Sequence, residues 1–222
     1  MDKRFWAVIL VIVVIFGGVL WFKNMHKANA PSNTTPTNHT EGTNTKDVTL
    51  LEYGDYECPA CEEFYPIVKQ VAQKYSNEIT FQFRNLPLTT IHQNAFAGAR
   101  AAEAAALQGK FWEMHDALYD NQTAWASSSS PKTFFDQYAG QIGLNVTQFD
   151  KDYASSKVND TINADISAFG KTGAEMQTPT FFLDGKQIQP GATVDAFSKL
   201  IDAEIAKKNP APTSSSSANS QD

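Results

Sequence analysis

Glu52-Tyr53-Gly54-Asp55-Tyr56-Glu57-Cys58-Pro59-Ala60-Cys61 carries the only two cysteines of a 222-residue chain, two residues apart. Cysteines so close cannot staple distant parts of a fold, so their use is local. Just upstream, residues 48–53 form a short, mostly apolar run that reads as a strand. Downstream, Phe64, Ile67, Val68 and Val71 recur at helical intervals, and Pro59 suits the first turn of a helix. Ile79-Thr80-Phe81-Gln82-Phe83-Arg84 then alternates as a second strand. Strand, helix, strand is a β-α-β unit, which implies parallel strands and a right-handed crossover.

From about residue 92 to 170 the pattern is helical. An alanine-rich stretch runs to Gln108 and stops at Gly109, and a second helix carries Phe111, His115 and Leu118. A third has Ser130 as N-cap and Pro131 at N1, and a later one spaces Val158, Ile162, Ile166 and Phe169. Thr180-Phe181-Phe182-Leu183, the turn Asp184-Gly185 and Lys186-Gln187-Ile188 predict a hairpin. A closing helix places Val194, Phe197, Ile201 and Ile205 inward. The class is α/β, one domain over 47–208 with a helical insertion at about 89–172.

Both ends differ in character from that domain. Residues 5–22 are eighteen uncharged, apolar residues with Trp6 and Trp21 near the two ends, which predicts a single transmembrane helix. Ala28-Asn29-Ala30 offers a rival signal-peptide cleavage site. Against it, the apolar run exceeds the about 7–15 residues of a signal peptide, Lys23 and Lys27 intervene, and Pro31 would follow the cut. The expected organisation is a retained anchor at 1–27, a flexible linker at 28–46 rich in Asn, Thr and Pro, and a disordered tail at 209–222. Lys3 and Arg4 nearly balance Lys23 and Lys27, so charge alone does not orient the anchor. A net charge of −6 without a basic run argues against nucleic acid as a partner.

A C-x-x-C that follows a strand and opens a helix has the setting of a redox pair. Free backbone N–H groups and the positive dipole end favour thiolate at the first cysteine, making Cys58 the expected nucleophile. Cys61, one turn further in, is placed to resolve a mixed disulfide. Zinc would need two more ligands, and His92 and His115 would have to converge from the helical block, so no metal is expected. An inert buried pair is the remaining alternative. Asp55, Glu57, Glu62 and Glu63 read as a solvated acidic rim that opposes thiolate formation.

The decapeptide resembles the redox motif of the DsbA-like branch of the thioredoxin superfamily. Phe83-Arg84-Asn85-Leu86-Pro87-Leu88 and Gln108-Gly109-Lys110-Phe111-Trp112-Glu113-Met114-His115-Asp116 are similar to two further stretches of that family, and Thr178-Pro179-Thr180-Phe181 to its cis-proline loop. The resemblance implies a thioredoxin-like fold with an inserted helical domain, with Pro179 in cis beside the cysteines. Thr178 would offer its backbone to an extended substrate strand. It also implies that Glu52, six residues before Cys58, is a buried acid able to accept the Cys61 proton. The pattern of residues alone equally allows an exposed strand position there. Strong oxidases of the family often carry histidine where this chain has Ala60, which removes a thiolate-stabilising group.

The function expected from these features is an extracytoplasmic thiol-disulfide oxidoreductase without cofactor, anchored in the cell membrane. It would act as a dithiol oxidase on exported proteins and be recycled by a membrane redox partner. The same pair would serve a reductase or an isomerase. A tethered peptide-binding or chaperone module is the reading from another class.

Overall fold

The computed structural model describes residues 35–210. The predicted membrane helix, the first part of the linker and the tail beyond 210 lie outside the described residues. Among the described residues no helix is long and apolar enough to cross a membrane.

The predicted β-α-β unit forms the centre. Strand β2 (Val48–Gly54) runs parallel to β3 (Ile79–Asn85), in register from Val48 opposite Ile79 to Gly54 opposite Asn85, and α1 (Pro59–Lys74) connects them. β4 (Thr180–Leu183) pairs antiparallel with the free side of β2, and β5 (Lys186–Ile188) with β4. The hairpin turn places Asp184 and Gly185 at φ 48° and 77°, the left-handed pair that an Asp-Gly turn requires. β1 (His39–Glu41) completes a sheet of order β1-β3-β2-β4-β5.

The helical insertion between β3 and β4 contains α2 (Ala95–Ala106), α3 (Phe111–Asp120), α4 (Gln122–Trp125), α5 (Pro131–Gln141), α6 (Val146–Tyr153) and α7 (Ser156–Gly170). α8 (Val194–Lys208) closes the chain's described part. Pro131 opens α5 as expected, yet Ser130 makes no side-chain capping bond, whereas Asn145, Ser155 and Thr193 cap α6, α7 and α8.

Strand alternation divides the core. Val48, Leu50 and Glu52 share one face of β2 with Phe81 and Phe83 of β3, covered by Val68 and Val71 of α1 and by Phe197 and Ile201 of α8. Tyr53 turns to the other face and joins Leu86, Phe182 and Phe169 of α7. A β2 buried on both faces is the usual state of a central strand between parallel and antiparallel neighbours.

The linker reading fails at residues 37–41. Thr37 N–H and Oγ1 donate to the two oxygens of buried Asp165 at 2.7 and 2.8 Å, and Thr40 pairs with Gln82. His39 stacks on Phe111 at 3.5 Å and meets Glu103 at 2.9 Å. Polar residues are held here by buried polar partners, an arrangement that leaves no apolar periodicity to read.

Candidate active site

Gly54 ends β2, and the chain turns through Asp55-Tyr56-Glu57 into α1. The Glu57 N–H donates to Asp55 Oδ1 at 2.8 Å, a side-chain turn typical of aspartate. The Cys58 N–H reaches the Asp55 carbonyl at 3.1 Å, and Gln122 of the insertion donates to the carbonyls of Tyr56 and Cys58 at 2.9 and 3.0 Å. Cys58 therefore stands as N-cap of α1 in extended geometry, with Pro59 at N1. Pro59 and Ala60 are exposed, while Cys58 is 7% and Cys61 0% accessible.

The two sulfurs differ sharply in acidity. Cys58 is lowered to about 5 from an ordinary 9.0. Its largest cause is the hydrogen bond from the Cys61 thiol, acting against burial and joined by the Thr178 hydroxyl and the N–H groups of Cys61 and Ala60. The Thr178 Oγ1 is buried and makes no hydrogen bond of ordinary geometry, so its pull on Cys58 is weaker than that of the Cys61 thiol. Cys61 is pushed well up, first by burial and then by its bond to Cys58, although the Asp55 N–H points at its sulfur from 3.5 Å.

Thr178-Pro179 is the cis peptide. The Thr178 carbonyl lies 3.4 Å from Cys58 Sγ and accepts its proton in the thiol form. Pro179, Phe64 and Ile188 border a groove of about 250 Å³. Glu57 and Pro59, the two neighbours of Cys58 in the chain, border with Ile91, His92 and Gln122 a second cleft of about 440 Å³, where Ile91 is 71% exposed. Glu52 lies on the buried face of β2, 3% accessible, with its carboxyl raised to about 8 by burial and then by the charge on Cys58.

The acidic rim needs correction at Asp55. Its side chain is buried and accepts from the Leu88 N–H at 2.9 Å and from His92 Nδ1 at 2.7 Å, besides Glu57. Glu57 in turn accepts from the Asn94 N–H at 2.5 Å. These carboxylates fasten the loop after β3 over the cysteine turn. Glu63 is exposed, and Glu62 half-buried in the first turn of α1. His92 is thus held by Asp55, and His115 Nδ1 by the Tyr56 hydroxyl at 3.0 Å. Among the described residues no three metal-ligating side chains gather. Asp55, His92 and Gln122 belong to the site although their spacing announces nothing. Only Asp55, a turn former directly after a strand, carried a signal.

An exposed helix terminus with an acidic thiol, a buried partner thiol one turn on, and the Thr178 carbonyl beside them can carry out thiol-disulfide exchange. The family model described as Thioredoxin matches residues 34–203. Among curated proteins, a Na(+)/H(+) antiporter NhaA 1 of Salinispora arenicola is 34% identical over 173 residues, covering 76% of this chain and 25% of that protein. An NhaA 1 of Mycolicibacterium gilvum is 36% identical over 151 residues, 67% of this chain and 24% of its own length. The chain thus spans about a quarter of the length of these relatives. Among solved structures, a thioredoxin-like oxidoreductase from Silicibacter pomeroyi is similar at TM-score 0.63 and 25% identity, covering 75% of this chain and 91% of that one. Oxidised BdbD from Bacillus subtilis follows the fold at TM-score 0.67 and 20% identity, over 80% and 99% of the two chains. Alpha-DsbA1 from Wolbachia pipientis does so at 0.68 and 19%, over 79% and 94%. The match begins before β1 and runs into α8, so it takes in the sheet, the cysteine turn and the helical insertion alike. The chain belongs to the thioredoxin family, with a DsbA-like fold.

Proposed function

We propose that this chain is a thiol-disulfide oxidoreductase working as a dithiol oxidase on exported proteins. The observation that carries the reading is the acidity gap between Cys58 and Cys61. A stabilised Cys58 thiolate favours the reduced pair, and a pair that prefers to be reduced oxidises others. Ala60 matters less than its position suggests, because the largest stabilisation of the Cys58 thiolate comes from the Cys61 thiol.

In this reading a substrate thiolate attacks Cys58 Sγ of the oxidised pair. The Cys58–Cys61 bond breaks, and a mixed disulfide forms. Cys61 departs as a thiolate of high basicity, a poor leaving group unless it is protonated. Glu52, raised to about 8 and so holding its proton at neutral pH, is the donor beneath it. A second substrate thiolate then attacks the substrate sulfur, and Cys58 leaves as the stable thiolate. Two electrons pass to the pair, and a partner disulfide at the membrane takes them back. The Thr178 carbonyl beside Cys58 and the grooves at Pro179 and at Pro59 suit an extended peptide.

An extracytoplasmic setting follows from that chemistry, since disulfides persist in oxidising spaces. The apolar run at 5–22 would tether the domain to the outer face of the cell membrane. The curated relatives are named as antiporters, a membrane class, so a domain of this kind beside a membrane has a parallel. Protease added to spheroplasts is expected to digest the domain, and protection until lysis would refute the orientation. The direction of exchange is tested by the potential of the Cys58/Cys61 pair. A value near about −120 mV is expected, and one near about −270 mV would make the protein a reductase. Cys58→Ser is expected to abolish oxidation of reduced, unfolded substrate; survival of the activity would favour a binding module.

A further inference from the structure

The cleft at Pro59 holds an acid and a base of its own. Its walls include Glu57 and Pro59, His92 of the loop after β3, and Gln122 with Ala126 of the insertion. These walls are tied to one another. Gln122 donates to the Cys58 carbonyl at 3.0 Å, and Asn94, two residues after His92, donates to the Ala126 and Ser128 carbonyls at 2.8 and 2.9 Å. A cleft so fastened keeps its geometry when a substrate enters.

His92 is fixed in the wall by backbone and ring alike. Its N–H donates to the Leu88 carbonyl at 3.0 Å, and its Nδ1 lies 2.7 Å from Asp55 Oδ2. The Asp55 side chain is fully buried, and the imidazole is 15% accessible. Asp55 also accepts from the N–H groups of Leu88 and Glu57 at 2.9 and 2.8 Å. A carboxylate that gathers three N–H groups offers only lone pairs, so Nδ1 is the donor of the pair. In the neutral ring the free lone pair then sits on Nε2, which makes no hydrogen bond among the described residues. With Nδ1 turned to the interior, the edge of the ring that carries Nε2 is the one left to border the cleft. Asp55 and Glu57 are the charged groups that face the ring, and negative charge on either favours a proton gained by it. An acid that sets the tautomer and steadies the imidazolium is what makes a histidine a base for a nucleophile.

We infer that His92, positioned by Asp55, is the general base that takes the proton of an incoming substrate thiol as its sulfur attacks Cys58. The inference rests on the exchange at Cys58 proposed above. The substrate S–H gives its proton to Nε2, and the sulfur's electron pair forms the bond to Cys58 Sγ. The Cys58–Cys61 bond breaks, and its electron pair leaves with Cys61, which is protonated. The imidazolium passes its proton to solvent in the cleft. The neutral ring then serves the second substrate thiol, whose attack on the mixed disulfide releases Cys58 as thiolate. In all, the dithiol loses two electrons and two protons; the cysteine pair takes the electrons, Cys61 keeps the equivalent of one proton, and solvent takes the other. The gain has a ceiling. An ordinary thiol of pKa about 8.5 is only about 3% thiolate at pH 7, so activation is worth at most about thirtyfold, and nothing for a thiol already ionised.

The test mixes the oxidised full chain at pH 7 with monothiols of graded acidity and follows the opening of its disulfide by stopped flow. His92→Gln is expected to slow thiols of pKa about 8.5 by about tenfold and to leave thiols of pKa about 5 within about twofold, so that the loss grows with thiol pKa. Equal slowing of every thiol would make His92 a structural residue, and unchanged rates would make it idle; either overturns the inference. In the unsubstituted chain the ordinary thiol is expected to react about twofold more slowly in D2O and the acidic one at the same rate, which reads the proton transfer even where the variant fails to fold. An ordinary thiol that reacts equally fast in H2O and D2O overturns the base. A disulfide that no thiol opens overturns the exchange at Cys58, and the role of His92 falls with it.

Discussion

An acid on the buried face of a strand weakens the fold wherever an unfolded chain would ionise it. Glu52 continues the row Val48, Leu50 into the core, and its folded carboxyl is raised from 4.5 to about 8. Between those values the unfolded chain has shed the proton and the folded one keeps it, so stability from this residue falls as pH rises through the window. Glu52→Gln removes the penalty. Reduced protein carrying it is expected to gain about 2 kcal/mol at pH 7 and almost nothing at pH 4, seen as a rise in Tm of several degrees at the higher pH only. Equal gains at both values would mean that Glu52 does not titrate in this window. The burial of Glu52 was half legible. Alternation from Val48 and Leu50 points it inward, but an acid at that place also fits an exposed strand end, and only the helix laid over β2 decides. Cys58 and Cys61 were readable because their spacing acts over one helical turn. Asp55 was misread because its partners, Leu88 N–H and His92, lie 33 and 37 residues away.

The elements follow the same rule of distance. β2, α1, β3 and the β4–β5 hairpin declare themselves through periodicity and an Asp-Gly turn, and the insertion through its helical repeat. β1 does not, since His39-Thr40-Glu41 has neither an apolar face nor a turn beside it. It is held by Asp165, 128 residues from Thr37, and by Glu103, 64 from His39. Asp165 also accepts from the Asn85 N–H at 3.0 Å, so one carboxylate joins the N-terminal segment, the end of β3 and α7. Replacing it strands the Thr37 and Asn85 N–H groups in the interior, each at a cost of about 1–3 kcal/mol. Asp165→Ala is accordingly expected to lower stability by about 3 kcal/mol and to release β1 first. Hydrogen exchange would show residues 37–41 losing protection well before the β2–β3 pairing does. Uniform loss across the sheet would mean that the segment is not a separate latch.

For the molecule as a whole, the decisive quantity is which redox state the fold prefers. The sequence left it open at Ala60, because the groups that stabilise the Cys58 thiolate include Thr178, brought from 120 residues away by the pairing of β4 with β2. In the reduced protein Cys58 has its acidity moved from 9.0 to about 5. An acid depressed on folding adds stability that is complete above the unfolded value and disappears as pH falls through the folded one. Reduced protein therefore gains from about pH 5 upward, and the oxidised protein, which has no thiol, does not. Glu52 trims the difference slightly. Burial, its larger cause, persists in both states, but the Cys58 charge that also raises it vanishes on oxidation. At pH 7 the reduced form is expected to be more stable by roughly 1–2 kcal/mol once solvent screening at Cys58 is allowed for, a few degrees in Tm. The gap should close towards pH 4. Parallel melts of the two states over that range test it, and because folding and redox equilibria form one cycle, a more stable oxidised form at pH 7 would contradict the oxidase direction as directly as a low potential would.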